Sequence, residues 1–310
     1  MRLVCILSEN HTLIPPRDLS GLVRVAVEAE RAGFDAVMVS EHVVLGRGSD
    51  ADGRPSNPRD YALPGNQDPA TPWPSSLLLL AAVAAVTTRL RLVAGAVIPP
   101  LRHPLLIAKD LATLDLLSGG RLIVQPTVSW HRAEYEALGV PFDRRGDRLD
   151  EHLAAWEALW RDGPATFRGT YYRFEEVHLE PKPFRPRGPW LWFGGRRLHE
   201  RLLRRLVRHG HGFNPLGRPS GDDLERLRDA MTEAGRSIDE LELVGGTRGR
   251  FPDPDGVADL DEALASIPEQ VARCFTTICV KPSQFTDDPD EIPSLLRRIV
   301  DRVSALDGDV

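Results

Sequence analysis

Short apolar runs rich in Val, Leu and Ile alternate along the chain with longer stretches of helical period. The first run covers residues 2–7 and is followed by Ser8, Glu9, Asn10 and His11. Residues 18–32 then place Leu22, Val25, Ala26 and Ala29 on one face at helical spacing, and Gly33 supplies the left-handed residue that ends such a helix. A second run, 36–39, closes on Ser40, Glu41 and His42, so the chain opens β-α-β. Further runs at 90–98, 122–128, 190–193, 212–213, 241–244 and 276–280 read as strands. They are brief, bounded by turn residues and apolar on both faces, as strands of a buried parallel sheet are. Helical patterns fill 75–87, 105–117, 145–160, 199–209, 222–234, 260–272 (interrupted by Pro268) and 292–306.

Two stretches break the alternation. Residues 46–74 are polar and rich in Gly, Pro, Asn and Asp, a length of loop that usually serves as a lid or binding loop. Residues 163–187 switch to short aromatic strands and predict an inserted β-hairpin. The expected fold is α/β: a single (β/α)8 TIM barrel over residues 1–310, with a long loop after strand two and an inserted hairpin. A doubly wound sheet would need a phosphate-cradling G-x-G-x-x-G after the first strand, which is absent.

The bulk numbers agree. A chain of 310 residues suits one such barrel, and 42% hydrophobic residues can fill its core. A net charge of −6 with mixed signs excludes the basic footprint of a nucleic-acid binder. No apolar run reaches membrane-spanning length, and the N-terminal stretch lacks the basic region and cleavage site of a signal peptide. Cys5, Cys274 and Cys279 show no C-x-x-C spacing, which argues against zinc or a disulfide framework and fits a reducing cytoplasm.

In a (β/α)8 barrel the chemistry sits at the C-terminal ends of the strands. His42 stands at such an end. On its residue type alone it is either a hydrogen-bonded structural histidine or a proton donor. Glu41 beside it either orients His42, meets a cofactor or is a surface carboxylate. Gly194-Gly195 followed by Arg196 offers backbone N–H groups and a guanidinium for a phosphate, or merely caps a helix. His209 and His211 have H-x-H spacing, but a metal-dependent hydrolase needs clustered His and Asp at strand ends, where only His42 and His11 fit. No metal site is expected.

One region carries a resemblance. Gly119-Gly120-Arg121-Leu122, a strand, Ser129-Trp130-His131-Arg132-Ala133-Glu134-Tyr135-Glu136 and then Arg145-Gly146-Asp147-Arg148-Leu149 resemble the luciferase-like flavin and deazaflavin oxidoreductases. Ser40-Glu41-His42, Arg102-His103-Pro104 and the Pro189 to Gly195 run match the same family. The glycines that many members carry after the fourth strand are replaced here by Gln125-Pro126-Thr127-Val128-Ser129, while Trp130 remains. The resemblance implies that His42 is catalytic, with Glu41 as its partner. It implies cofactor contacts from Ser40, from Gly95-Ala96 (often a cis peptide in relatives), from Thr127, Ser129 and Trp130, and from Gly194, Gly195 and Arg196. Trp130 stands where some sugar-phosphate dehydrogenases place a catalytic acid, so that mechanism is not expected.

The implied activity is two-electron redox chemistry on a small, fairly hydrophobic organic molecule. Coenzyme F420 would support hydride transfer. FMN would support a monooxygenase fed by a flavin reductase. A non-catalytic flavin-binding barrel is the remaining alternative, raised by the altered 125–129 loop. A homodimer formed through barrel helices is common in the family.

Overall fold

The structure is a computed structural model and describes residues 1–308. In chain order it contains β1 (Arg2–Ile6), α1 (Leu19–Ala32), β2 (Ala36–Val39), α2 (Ser76–Val86), β3 (Arg91–Val97), α3 (Pro104–Leu117), β4 (Leu122–Pro126), α4 (Arg132–Ala137) and α5 (Arg145–Leu159). The hairpin strands β5 (Ala165–Arg168) and β6 (Arg173–Val177) follow, then β7 (Trp190–Phe193), α6 (Glu200–His209), β8 (Gly212–Phe213), α7 (Gly221–Glu233) and β9 (Glu242–Gly246). The chain ends with α8 (Leu260–Leu264), α9 (Ile267–Ala272), β10 (Thr277–Val280) and α10 (Ile292–Gly308).

Eight strands form a closed barrel in the order β1-β10-β9-β8-β7-β4-β3-β2, and β5-β6 form a separate two-stranded sheet. The expected TIM barrel is therefore present, with its hairpin and its long loop after the second strand. Every residue of β2, β4 and β10 is buried, which is why these strands read as unbroken apolar runs instead of alternating ones.

Local chemistry explains the boundaries. The Asp18 side chain accepts the Gly21 N–H at the head of α1, and Gly33 ends the helix at φ +106°. The helical pattern over 260–272, interrupted at Pro268, forms two short helices, α8 and α9. Pro268 lies in the first turn of α9, where its missing N–H costs nothing. The fourth strand ends two residues earlier than expected, at Pro126, and Ser129 turns the chain with a left-handed φ of +55°. The short helix α4 follows and was not expected.

The chain divides into two compact units. The first comprises Met1–Met38, Ser56–Asp60 and Trp190–Val310. In it β1 pairs in parallel with β10 (Cys5 opposite Val280) and with β2 (Cys5 opposite Val37). Here the middle of the long loop is gripped firmly. Asn57 Nδ2 donates to the carbonyls of Asp253 and Gly256 at 3.0 and 2.8 Å, Arg59 pairs with Asp287, and the buried Lys281 donates to the Asp60 carbonyl at 3.0 Å.

The second unit comprises Val39–Pro55 and Tyr61–Pro189. In it β3 pairs with β4, with a register shift between Gly95 and Val97. The two arms of the long loop are zipped together. Asp52 N donates to the Gly65 carbonyl and Gln67 N to the Ser49 carbonyl, both at 2.7 Å, and Arg54 pairs with Asp68 at 2.7 Å. Among the described residues no helix is long and apolar enough to cross a membrane.

Candidate active site

The candidate site is built where β2 ends. Glu41 and His42 follow β2 as neighbours but reach different partners. Glu41 is almost completely buried. Its Oε1 accepts from Arg102 Nη1 at 2.7 Å and from the Ile98 backbone N–H at 3.2 Å. Its Oε2 accepts from Arg102 Nη2 at 2.8 Å and from the Ser76 hydroxyl at 3.0 Å. This two-pronged guanidinium–carboxylate pair ties the end of β2 to the first turn of α2 and to the turn after β3. Both Glu41 oxygens are committed there, so the carboxylate expected to orient His42 is engaged elsewhere.

The carboxylate on His42 is that of Glu134, from the first turn of α4. Its Oε2 lies 3.2 Å from His42 Nδ1 and accepts the Ser129 hydroxyl at 3.0 Å. Its Oε1 accepts the Val43 backbone N–H at 2.6 Å. Glu134 is fully buried. Burial opposes its ionisation, but the bonds from His42, Val43 and Ser129 outweigh that and hold its carboxyl below the usual glutamate range. An ionised carboxylate can only accept, so Nδ1 carries the proton and Nε2 is the ring nitrogen left for other chemistry.

Two indoles box the imidazole. Trp73 meets it edge-on at 5.3 Å between centroids and Trp130 at 5.9 Å. Trp73 Nε1 is buried with no hydrogen-bond partner. His131 packs on Trp130 at 4.9 Å and accepts the Gly46 backbone N–H at its Nε2, 2.8 Å away. Burial above all, with the nearby His42, pushes the His131 imidazole to a lowered pKa, and Glu134 opposes the shift.

Ser129 accounts for one of the replaced glycines. The loop after β4 needs a left-handed residue, which glycine adopts freely. Ser129 adopts it at φ +55° and has a hydroxyl to give Glu134 in return. The Gly95–Ala96 peptide is cis, as the resemblance implied, at the register shift of β3. Thr127 N–H donates to the Val97 carbonyl at 2.8 Å, and its side chain is half-buried, as is that of Ser40.

In the first unit, Gly194 and Gly195 follow β7 directly, half-buried, with Arg196 exposed. They do not head a helix. The helix α6 begins at Glu200, and its first turn is capped by His199, whose Nδ1 accepts the Leu202 N–H at 3.2 Å. The backbone cradle expected for a phosphate is thus a loop of half-buried glycines beside an exposed guanidinium, not a helix start.

Sequence reasoning brought forward His42, Ser129 and Trp130, which meet around one buried carboxylate. It passed over Glu134, His131 and Trp73. Glu134 and His131 lie inside the stretch that carried the family resemblance, but nothing in their spacing marks them as facing His42. The Glu134–His42 pair joins positions 92 residues apart.

Comparison with known proteins gives the family and the fold. The matched family model is the luciferase-like monooxygenase, over residues 1–249. The FMNH(2)-dependent dimethylsulfone monooxygenase of Pseudomonas putida is 31% identical over 175 residues, which is 56% of this chain but only 42% of that protein's length. Among solved structures, monooxygenase RslO1 from Streptomyces bottropensis shares the fold at a TM-score of 0.73 and 21% identity, covering 98% of this chain and 99% of that one. The coenzyme F420 dependent tetrahydromethanopterin reductase from Methanopyrus kandleri does so at 0.68 and 15%, covering 97% and 98%. With the model match spanning most of its length and the fold shared end to end, the chain belongs to the luciferase-like monooxygenase family.

Proposed function

We propose that the protein is an F420-dependent oxidoreductase that moves a hydride to or from a small, fairly hydrophobic organic substrate. The observation that carries this reading is His42, fixed at Nδ1 by the buried Glu134 and walled by Trp73 and Trp130. That arrangement suits a group that gives or takes a proton at Nε2 in a site with little water. A buried, unpartnered Trp73 N–H beside it fits a ring system that carries carbonyl acceptors, as both F420 and FMN do. The exposed Arg196 guanidinium beside Gly194 and Gly195 is suited to a phosphate.

When bound, F420 supplies a hydride donor or acceptor that reacts poorly with oxygen. The chain's own residues do the rest. His42 Nε2 exchanges the proton that accompanies hydride transfer. Glu134 fixes the tautomer and steadies the positive charge when the ring is protonated. Ser40, Ser129, Trp130 and the Gly95–Ala96 turn are the remaining candidates for holding the ring. Glu41 is assigned a structural role through Arg102.

A second reading has its own support. The dimethylsulfone monooxygenase relative is FMNH2-dependent, so an FMN monooxygenase supplied by a partner reductase is the alternative. Titration with F420 and FMN, each oxidised and reduced, followed by fluorescence quenching, separates the two. Micromolar binding of F420 alone supports hydride transfer. Preference for reduced FMN supports the monooxygenase, and binding of neither ends both readings.

The working form we propose is a homodimer. The helix α2 has no charged residue and exposes Leu78, Ala82, Ala85 and Val86 at helical spacing, and Leu106 and Leu117 of α3 are about two-thirds exposed. A helix apolar on all sides needs cover. Light scattering should give twice the chain mass, reduced to one chain by Leu78→Lys. Three free cysteines suit a reducing cytoplasm.

A further inference from the structure

We infer that His131 is a positioning residue: as an uncharged imidazole it holds the start of the 46–74 loop beside the His42 site, and protonating it frees the Gly46 end of that loop. The inference rests on the reading of His42 as the site's proton-handling group.

The argument begins with one unusual bond. The Gly46 backbone N–H donates to His131 Nε2 at 2.8 Å. Only an imidazole nitrogen with a free lone pair can accept, so the bond exists only while His131 is neutral. Gly46 is the first residue of the long loop, so this bond sits at its root. The hold is passed along the loop. Ser49 N donates to the Gly46 carbonyl at 3.2 Å, and Gln67 N to the Ser49 carbonyl at 2.7 Å. Asp52 with Gly65 and Arg54 with Asp68 close the same ladder. The returning arm then runs into Trp73, whose ring packs edge-on against His42. A single titratable side chain therefore sits at the root of the segment that delivers one wall of the site.

The surroundings of His131 keep it neutral. It is buried, and the charged or titratable groups that face it are Glu134 from α4 and His42 from the segment after β2. Glu134, which already accepts from His42, Val43 and Ser129, favours a charge on His131, but burial outweighs it. Since the folded protein disfavours charging His131, the bond is intact above the ordinary histidine range and is lost as pH falls through the lowered value.

The test uses the cofactor-free protein. Uniformly 15N-labelled enzyme should show a through-hydrogen-bond 15N–15N coupling between Gly46 N and His131 Nε2 at pH 8. The coupling should vanish on acidification in step with the His131 ring shifts. Hydrogen exchange at Gly46, corrected for the intrinsic pH dependence, should speed up by about tenfold over the same range, the factor that loss of one ordinary hydrogen bond implies. His131→Gln keeps an acceptor that does not titrate, so its Gly46 exchange should stay slow throughout. No coupling at pH 8, a coupling that survives protonation of His131, or the same acid response in His131→Gln would each overturn the inference. If that variant does not fold, the wild-type coupling decides alone. These readouts need no cofactor, so failure to bind F420 or FMN would sink the proposed function and leave this result standing.

Discussion

Glu41 and Glu134 are both buried carboxylates within reach of the same segment, and they do opposite work. Glu41 is next to His42 in the chain and serves the scaffold, gripping Arg102, Ser76 and Ile98. Glu134 is remote in the chain and serves the histidine. Beyond the end of β2 the two neighbouring side chains are taken by different partners. One meets the turn after β3 and the other meets α4. Adjacency in sequence is a poor guide to which acid holds which base.

The largest effect expected from that contrast is on stability. Glu41→Gln removes the charge facing a mostly buried guanidinium and should cost about 3–5 kcal/mol. Urea unfolding measures it, and turnover per folded molecule should hold. If turnover collapses while stability holds, the two acids have been assigned the wrong way round. Next comes His42→Ala, expected to lower cofactor-dependent turnover by at least about 100-fold while cofactor affinity stays within a few-fold.

Glu134→Gln should be milder, about tenfold in turnover, because a carboxamide oxygen can still accept from Nδ1 but no longer steadies the charged ring. The same variant sharpens the comparison by pH. The folded-state pKa of Glu134 is lowered, so its contribution to stability is present above the ordinary glutamate value and is lost as pH falls through the depressed one. The gap in unfolding free energy between wild type and Glu134→Gln should therefore close on acidification below about pH 4.3. A gap that widens there contradicts an ionised Glu134. The smallest effect concerns Ser129. Ser129→Ala keeps the left-handed strain and loses the hydroxyl bond, costing about 1 kcal/mol. Ser129→Gly relieves the strain as it loses the bond and should stay close to wild type.

Much of the fold was legible beforehand because its signals are local. Short runs of residues apolar on both faces, bounded by turn residues, read as inner strands, and Gly33 acts within one turn of itself. The expected (β/α)8 barrel, the hairpin and the long loop all follow from such signals. The differences are local too: the interruption expected at Pro268 is the start of a separate helix, and α4 is too short to show a period.

The candidate site was legible only in part. Residue type and the family resemblance singled out His42, Ser129 and Trp130 and placed them at strand ends. The chain alone thus determined the order of elements, the apolar core and the strand ends at which chemistry could gather. Tertiary structure alone decided that Glu134 holds His42, that Glu41 belongs to Arg102, and that His131 anchors Gly46. Each of those bonds joins residues far apart in sequence, and each depends on the side to which a residue turns after its strand has ended. No periodicity encodes that direction, because it is set by the path of the loops and by what they pack against.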